Sequence, residues 1–392
     1  MSTNTPYHLG RYRLFKSLKK GGMARVFLGL DPEAPTRLLA VKTLLPKLAR
    51  QRTYREMFTA EGRVARRLRH PNIVRTHDAG THDETLYISM EYLFGFDLST
   101  TLRRLRRQGE TMPRRVAVTI ARHACAGLAY AHTLTDEHGQ ALNIVNRDVS
   151  PGNLMICFDG AVKLIDFGIA QTTIDVKSQI GSIKGKISYM SPEQVRGLSV
   201  DRRSDVFSLG TVFYELLTGL HVFHEEGDFA TMERVRRAEA PPPSHHDASI
   251  DATLDAIVAR AMSREVSDRY ATADALQTDL DAWLGAEGPE PPGRIAAFMR
   301  ALFGHQIDQM AHDIDQARQK ALVQAPVGLP SDGERPARLI SEDALADLEP
   351  PAATPAPKLP ASPVQPRRTA IYVGLTAAAA LVGALLAWHA FG

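Results

Sequence analysis

Three oxygen-bearing side chains, Asp148, Asn153 and Asp166, stand close together in the stretch 146–168. The stretch opens Asn-Arg-Asp-Val-Ser-Pro-Gly-Asn, continues as an apolar run over 154–158, turns at Asp159-Gly160, and returns over 161–165 to Asp166-Phe167-Gly168. Asp-Gly between two apolar runs predicts a β-hairpin with a two-residue type I′ turn, because both central residues need φ > 0. In that register Phe158 faces Ala161 and, counting outward, Asn153 faces Asp166 at the open mouth. An amide oxygen beside a carboxylate is a hard-oxygen pair suited to Mg²⁺. Asp148, just upstream, can share the mouth as a base. Two metal ligands and a base are the parts of phosphoryl transfer. The plainer alternative is an ordinary hairpin with polar ends.

The flanking chain must position these groups. Residues 12–30 read as two short strands around Lys19-Lys20-Gly21-Gly22-Met23-Ala24, and 37–44 as a strand centred on Ala40-Val41-Lys42. Over 52–68, Tyr54, Met57, Phe58, Val64, Ala65 and Leu68 share one face at helical spacing, with Glu61 in the middle of that face. A carboxylate on an apolar face needs a partner, and Lys42 on the preceding strand is the candidate; a purely structural ion pair is the alternative. Strands are expected at 73–76 and 86–92, with a break at Gly95. The pattern then turns helical over 98–107, 116–132, 204–218, 254–262 and 273–284. Arg103, Arg104, Arg106 and Arg107 read as a solvated face, and 172–186 as a polar loop. A strand-rich first part and a helical second part, joined near 93–95, predict two lobes with a cleft between them.

The formal net charge of +3 over 392 residues offers no basic excess for nucleic acid. The two cysteines, Cys125 and Cys157, lie in apolar surroundings and read as reduced core residues. Residues 1–10 form a polar tail without the apolar core of a signal peptide.

Taken in order, these motifs resemble the eukaryotic-like protein kinases, specifically the bacterial serine/threonine branch, over about residues 11–284. Gly21-Gly22-Met23-Ala24-Arg25-Val26 is similar to the glycine-rich loop, and Ala40-Val41-Lys42 to the phosphate-holding strand. Glu61 stands before His70-Pro71-Asn72-Ile73-Val74 as the family places the partner of that lysine. Asn146-Arg147-Asp148 with Asn153 resembles the catalytic loop, Asp166-Phe167-Gly168 the metal-binding triplet, and Ser191-Pro192-Glu193 the end of the activation segment. Asp205 and Arg269, with Glu193, match structural residues of the large lobe.

The resemblance implies an α+β, two-lobed protein kinase fold, with a β-rich N-lobe over about 11–93 and an α-helical C-lobe over about 94–284. It implies transfer of the γ-phosphate of ATP, with Mg²⁺ or Mn²⁺ on Asn153 and Asp166, to Ser/Thr hydroxyls of protein substrates. Lys42 and Glu61 would hold the phosphates, Asp148 would take the hydroxyl proton, and Arg147 would answer to loop phosphorylation. Leu18, Gly21, Gly22, Val26, Ala40, Lys42, Met90, Glu91, Leu93 and Met155 would bind ATP, with the backbone at Glu91 and Leu93 on the adenine edge. Thr172, Thr173, Ser178 and Ser182 are the phosphorylation candidates.

The chain departs from the family pattern at five places. Lys19 and Ala24 replace two loop glycines, Asn146 a histidine, Ser150 a lysine, and Lys186 a threonine. In the family the lysine replaced by Ser150 carries charge to the γ-phosphate, so its loss should cost rate unless another cation compensates. Pro151 follows the serine/threonine pattern rather than the tyrosine one. The competing reading is an ATP-binding pseudokinase serving as a membrane-tethered scaffold.

Beyond the domain, 285–325 reads as an amphipathic helical extension with a break at Gly304. Its apolar residues Ile295, Phe298, Met299, Leu302, Ile307, Met310, Ile314 and Ala321 suit packing on the large lobe, or a homodimer or partner surface. The Pro/Ala-rich segment 326–369 reads as a linker. The apolar run within 370–391, roughly twenty residues, is long enough for a transmembrane helix in the lipid bilayer, with a buried or interfacial helix as the alternative. Arg367-Arg368 before it set a single-pass span of the cell (inner) membrane, with the kinase domain cytoplasmic and the C-terminus across the membrane. No outside sensor domain is expected after it.

Overall fold

The computed structural model describes residues 6–168, 186–289 and 291–323. The linker 326–369, the apolar run 370–391 and the four phosphorylation candidates Thr172, Thr173, Ser178 and Ser182 lie outside them. Among the described residues no helix is long and apolar enough to cross a membrane.

The first lobe is a six-stranded antiparallel sheet. Its strands are β1 (Tyr7–Leu9), β2 (Tyr12–Lys20), β3 (Ala24–Asp31), β4 (Ala34–Leu44), β5 (Thr76–His82) and β6 (Thr85–Glu91), in the order β1-β2-β3-β4-β6-β5. Residues 7–9, read from sequence as part of a polar tail, pair with β2 as an edge strand. Between β4 and β5 come a short helix α1 (Pro46–Ala49) and a longer one, α2 (Arg52–Ala65). Met57 and Phe58 of α2 are buried against the sheet. Gly62 allows the close approach, since a Cβ there would come within 3.0 Å of the Ala79 Cβ.

The strand expected at 73–76 does not form as such. Ile73 makes only an isolated parallel bridge to Leu164, and the ladder begins at Thr76. Ile73 and Val74 are buried, and Val74 N–H donates to Leu164 O at 2.8 Å, tying the first lobe to the second. The apolar residues there mark a junction between lobes rather than a sheet face.

Gly95 begins a strand instead of a break. β7 (Gly95–Asp97), β8 (Leu154–Cys157) and β9 (Val162–Leu164) form a second sheet in that order. A Cβ at Gly95 would stand 2.2 Å from Ile156 O, so only glycine fits this crossing.

The second lobe is helical: α3 (Leu98–Gln108), α4 (Arg114–His132), α5 (Pro192–Arg196), α6 (Arg202–Thr218), α7 (Asp228–Arg237), α8 (Ala252–Ala261) and α9 (Ala273–Ala286). α6 is buried from Ser204 to Thr218, as an apolar sequence without an exposed stripe requires. α4 packs on α6, α9 and β9, and Gly127 lets it approach Asn72 O, which a Cβ would meet at 2.9 Å. Cys125 and Cys157 are free and buried.

A last helix, α10 (Arg294–Val323), follows, with non-helical φ/ψ at Phe303, one residue before Gly304. It does not pack on the large lobe alone. Phe303 stacks among Phe96 and Phe158, while Arg13 of β2 donates to the C-terminal carbonyls Ala321 O at 3.0 Å and Leu322 O at 3.2 Å. Ile295, Met299, Leu302, Met310, Ile314 and Ala321 are buried within the one chain.

Candidate active site

The hairpin that opens the site is present, in a register one residue away from the expected one. Leu154 pairs with Leu164, Met155 with Lys163 and Ile156 with Val162. The connection is therefore a three-residue loop, 158–160. Gly160 N–H donates to Cys157 O at 3.0 Å, Cys157 N–H donates to Ala161 O at 2.8 Å, and Gly160 takes φ +96°. This is a tight turn followed by a left-handed glycine bulge. Phe158 explains the shift. It is buried against Phe94 at 4.9 Å and Phe96 at 5.5 Å, so it leaves the ladder for the core. Asp159 stays in the turn and accepts from Ala161 N–H at 2.9 Å.

The mouth survives the shift. Ile165 N–H donates to Asn153 O at 3.0 Å, which holds the two strand ends together. Asn153 Nδ2 donates to Asp148 O at 2.8 Å. With its amide nitrogen so used, and no donor to Asn153 Oδ1 or Asp166 Oδ2 among the described residues, two oxygens remain for a hard cation. The donor set fits Mg²⁺, whose remaining ligands are ordinarily phosphates and water.

Lys42 stands on β4 opposite Val26 of β3 and Ile88 of β6. Strand alternation puts Val26, Ala40, Lys42 and, through its pairing with Ala40, Met90 on one face of the sheet. Met155 of β8 belongs to the other lobe, and Leu93 lies outside the ladder between β6 and β7. Leu18 sits at a β2 bulge, packed against the core, and Gly21 closes the β2–β3 turn by donating to Ala24 O at 2.8 Å. Gly22 is exposed, and a Cβ there would meet nothing within 4 Å. Glu91 Oε1 accepts from Arg75 N–H and from Lys163 Nζ.

The Lys42 ammonium donates to Glu61 Oε1 at 2.6 Å and to Asp166 Oδ1 at 3.0 Å. Burial works against its charge, but the Asp166 and Glu61 carboxylates outweigh burial and raise it above the ordinary lysine range. Lys42 therefore stays a cation across physiological pH. Lys19 does not compete for this place, since its ammonium is 3.8 Å from Asp97 Oδ2.

Asp148 is held from several sides. Its N–H donates to Asn146 Oδ1 at 3.0 Å, and Asn146 Nδ2 donates to Asp166 O at 3.0 Å. Asn146, fully buried, thus links the Asp148 loop to the Asp166-Phe167-Gly168 triplet by hydrogen bonds in place of ring stacking. Asp205 of α6, also fully buried, accepts from Asn146 N–H and Arg147 N–H, each at 2.7 Å, and pairs with His132 Nε2 at 2.7 Å. Arg147 takes φ +65°, an unfavoured conformation for a side chain of its size. The two bonds at its flanks and Gln194 Nε2 donating to Arg147 O at 2.9 Å hold it there. Partial burial lowers the Arg147 guanidinium from its ordinary value, against the opposing pull of Asp205. Glu193, next to Gln194 in the chain, and Arg269 are buried partners, at 2.7 and 2.9 Å.

Sequence reasoning missed His132 and Gln194. His132 ends α4 and carries no local signal. Gln194 was legible as the fourth residue of Ser191-Pro-Glu-Gln, a capping box that the structure forms at α5. It also passed over the contact of Lys186 Nζ with Asp148 Oδ2, at 2.6 Å.

Comparison with known proteins agrees with this geometry. The chain is 41% identical over 308 residues to the tyrosine-protein kinase MasK of Myxococcus xanthus, covering 77% of this chain and 47% of that protein. It is 38% identical over 296 residues to the serine/threonine-protein kinase PknB of Mycobacterium tuberculosis, covering 74% of this chain and 45% of that protein. The chain thus spans about half the length of the curated relatives it matches. Among solved structures, the Mycobacterium tuberculosis PknI kinase domain shares the fold at TM-score 0.55 and 26% identity, over 72% of this chain and 99% of that one. The protein kinase domain model matches residues 12–280, well over half of the sequence, and the chain is accordingly a member of the protein kinase domain family.

Proposed function

We propose that this protein is a serine/threonine protein kinase that transfers the γ-phosphate of MgATP to hydroxyls of protein substrates, itself included. The observation that carries the reading is Lys42 joined to both Glu61 and Asp166 in the cleft that also holds Asp148. Lys42 orients the nucleotide phosphates, and Glu61 keeps Lys42 in place. Val26, Ala40, Met90 and Met155 enclose adenine, with the Glu91 and Leu93 backbone at its edge. Divalent metal on Asn153 and Asp166, when bound, offsets phosphate charge. Asp148 aligns the substrate hydroxyl. The hydroxyl oxygen bonds to the γ-phosphorus, the bond from that phosphorus to the β–γ bridging oxygen breaks, ADP departs, and the proton passes to Asp148.

Two neighbouring readings are separable by experiment. The MasK relative is titled a tyrosine kinase; Pro151 in the catalytic loop supports serine/threonine instead. The pseudokinase reading draws on Lys19, Ala24, Asn146 and Ser150. Purified protein with labelled ATP and a generic basic protein should give phosphoserine or phosphothreonine, and Asp148→Asn should abolish it. Equal labelling by the two forms would sink the enzyme; phosphotyrosine alone would move the specificity.

Arg147 beside Asp148 supports control by phosphorylation of the segment holding Thr172, Thr173, Ser178 and Ser182, since phosphate and guanidinium pair strongly. Arg367-Arg368 and the apolar run after them support a cytoplasmic kinase domain on a single-pass inner-membrane anchor. Fractionation of the intact chain tests the anchor: recovery wholly in the soluble fraction removes it.

A further inference from the structure

The catalytic loop carries an anomaly next to its base. Ser150, two residues after Asp148, is buried, and its hydroxyl has no hydrogen-bond partner among the described residues. No cation projects from that place. A transferring phosphoryl group nevertheless spreads negative charge beside the base that receives the hydroxyl proton, and such charge is stabilised by fixed cations. Other lysines around the cleft are engaged: Lys42 with Glu61 and Asp166, Lys163 with Glu91, Lys19 with Asp97. Among the described residues, Lys186, from beyond the metal triplet, is the lysine that reaches Asp148. Its Nζ lies 2.6 Å from Asp148 Oδ2, and its side chain is still 44% exposed, so it can face both the carboxylate and an incoming substrate.

We propose that Lys186 is the cation that contacts the transferring phosphoryl group beside Asp148, supplying from the activation segment what Ser150 does not supply from the catalytic loop. The inference rests on the kinase reading above.

Lys186→Met and Lys186→Arg, made in the full chain, test this against wild type and Asp148→Asn. Phosphoryl transfer is measured at saturating and limiting ATP, with thermal melting of each variant. Lys186→Met should lower kcat about 10²-fold, the cost of removing one preorganised charge from a transition state. KM for ATP and melting temperature should stay near wild type, because the side chain is half exposed and Lys42 holds the bound nucleotide. Lys186→Arg should keep most of the rate. A Lys186→Met enzyme with wild-type or raised kcat overturns the proposal, the raised rate identifying the contact as a lock on Asp148. A loss of rate matched by Lys186→Arg overturns it as well, since charge alone is then not what matters. Failure of the kinase reading looks different: wild type itself would label no more than Asp148→Asn.

Discussion

At the scale of residues, charge is placed where it cannot be lost without consequence. Lys42 is held by two carboxylates, and in the proposed reaction its ammonium meets the nucleotide phosphates. Lys42→Met should therefore reduce transfer by about 10²-fold or more, measured as kcat/KM with labelled ATP. The Glu193–Arg269 pair is different in kind. The Arg269 side chain is fully buried, and the pair bonds to Ser204, Ser263 and Arg203 rather than to Lys42, Asp148 or Asp166. Burial alone would push the Glu193 carboxyl up, but hydrogen bonds from Arg269 and Ser204 push it down further, and the net shift is below the ordinary 4.5. A lowered carboxyl contributes stability that is present above 4.5 and is lost as pH falls through the folded value. Denaturant midpoints between pH 7 and 3 should fall steeply for wild type in the acid range and less steeply for Glu193→Gln. At pH 7 Arg269→Met, which strands a buried carboxylate, should cost about 3–5 kcal/mol in urea unfolding.

At the scale of elements, close crossings fix the geometry. β7 meets β8 at Gly95 with no room for a methyl group. Gly95→Ala should cost about 1–3 kcal/mol by overpacking, and Gly22→Ala, in open space, should leave the urea midpoint unchanged. The Phe158 turn is a second such joint. Phe158 gathers Phe94, Phe96 and, from α10, Phe303. Phe303→Ala should cost about 3–5 kcal/mol, as for other buried aromatic truncations, and the loss should be visible in the same unfolding experiment.

At the scale of the whole molecule, α10 spans both lobes. Its first half lies on the β7–β8 region and its second half on β2. A chain ending at 289 should melt at a lower temperature than one ending at 323. Hydrogen exchange should rise around Arg13 and 94–96, where contacts are lost. Equal protection at both places in the two chains would show that the helix is decoration rather than part of the fold.

Much of the site was legible before any coordinate. Glu61 on an apolar helix face demanded a cation, and Lys42 is that cation, because the cost of burying an unpaired carboxylate is a local fact that pattern reveals. Asn153, Asp166 and Asp148 were found from a turn dipeptide and short spacing. The hairpin register was not legible. Asp-Gly admits both a two-residue and a three-residue loop, and the burial of Phe158 against α10 and β7 chose between them. The same holds for Lys186 on Asp148, 38 residues apart, and for Arg13 on the end of α10, 308 residues apart. Periodicity and composition state which groups must be buried or paired. Which partner meets them depends on how distant elements pack, and only the tertiary structure decided that.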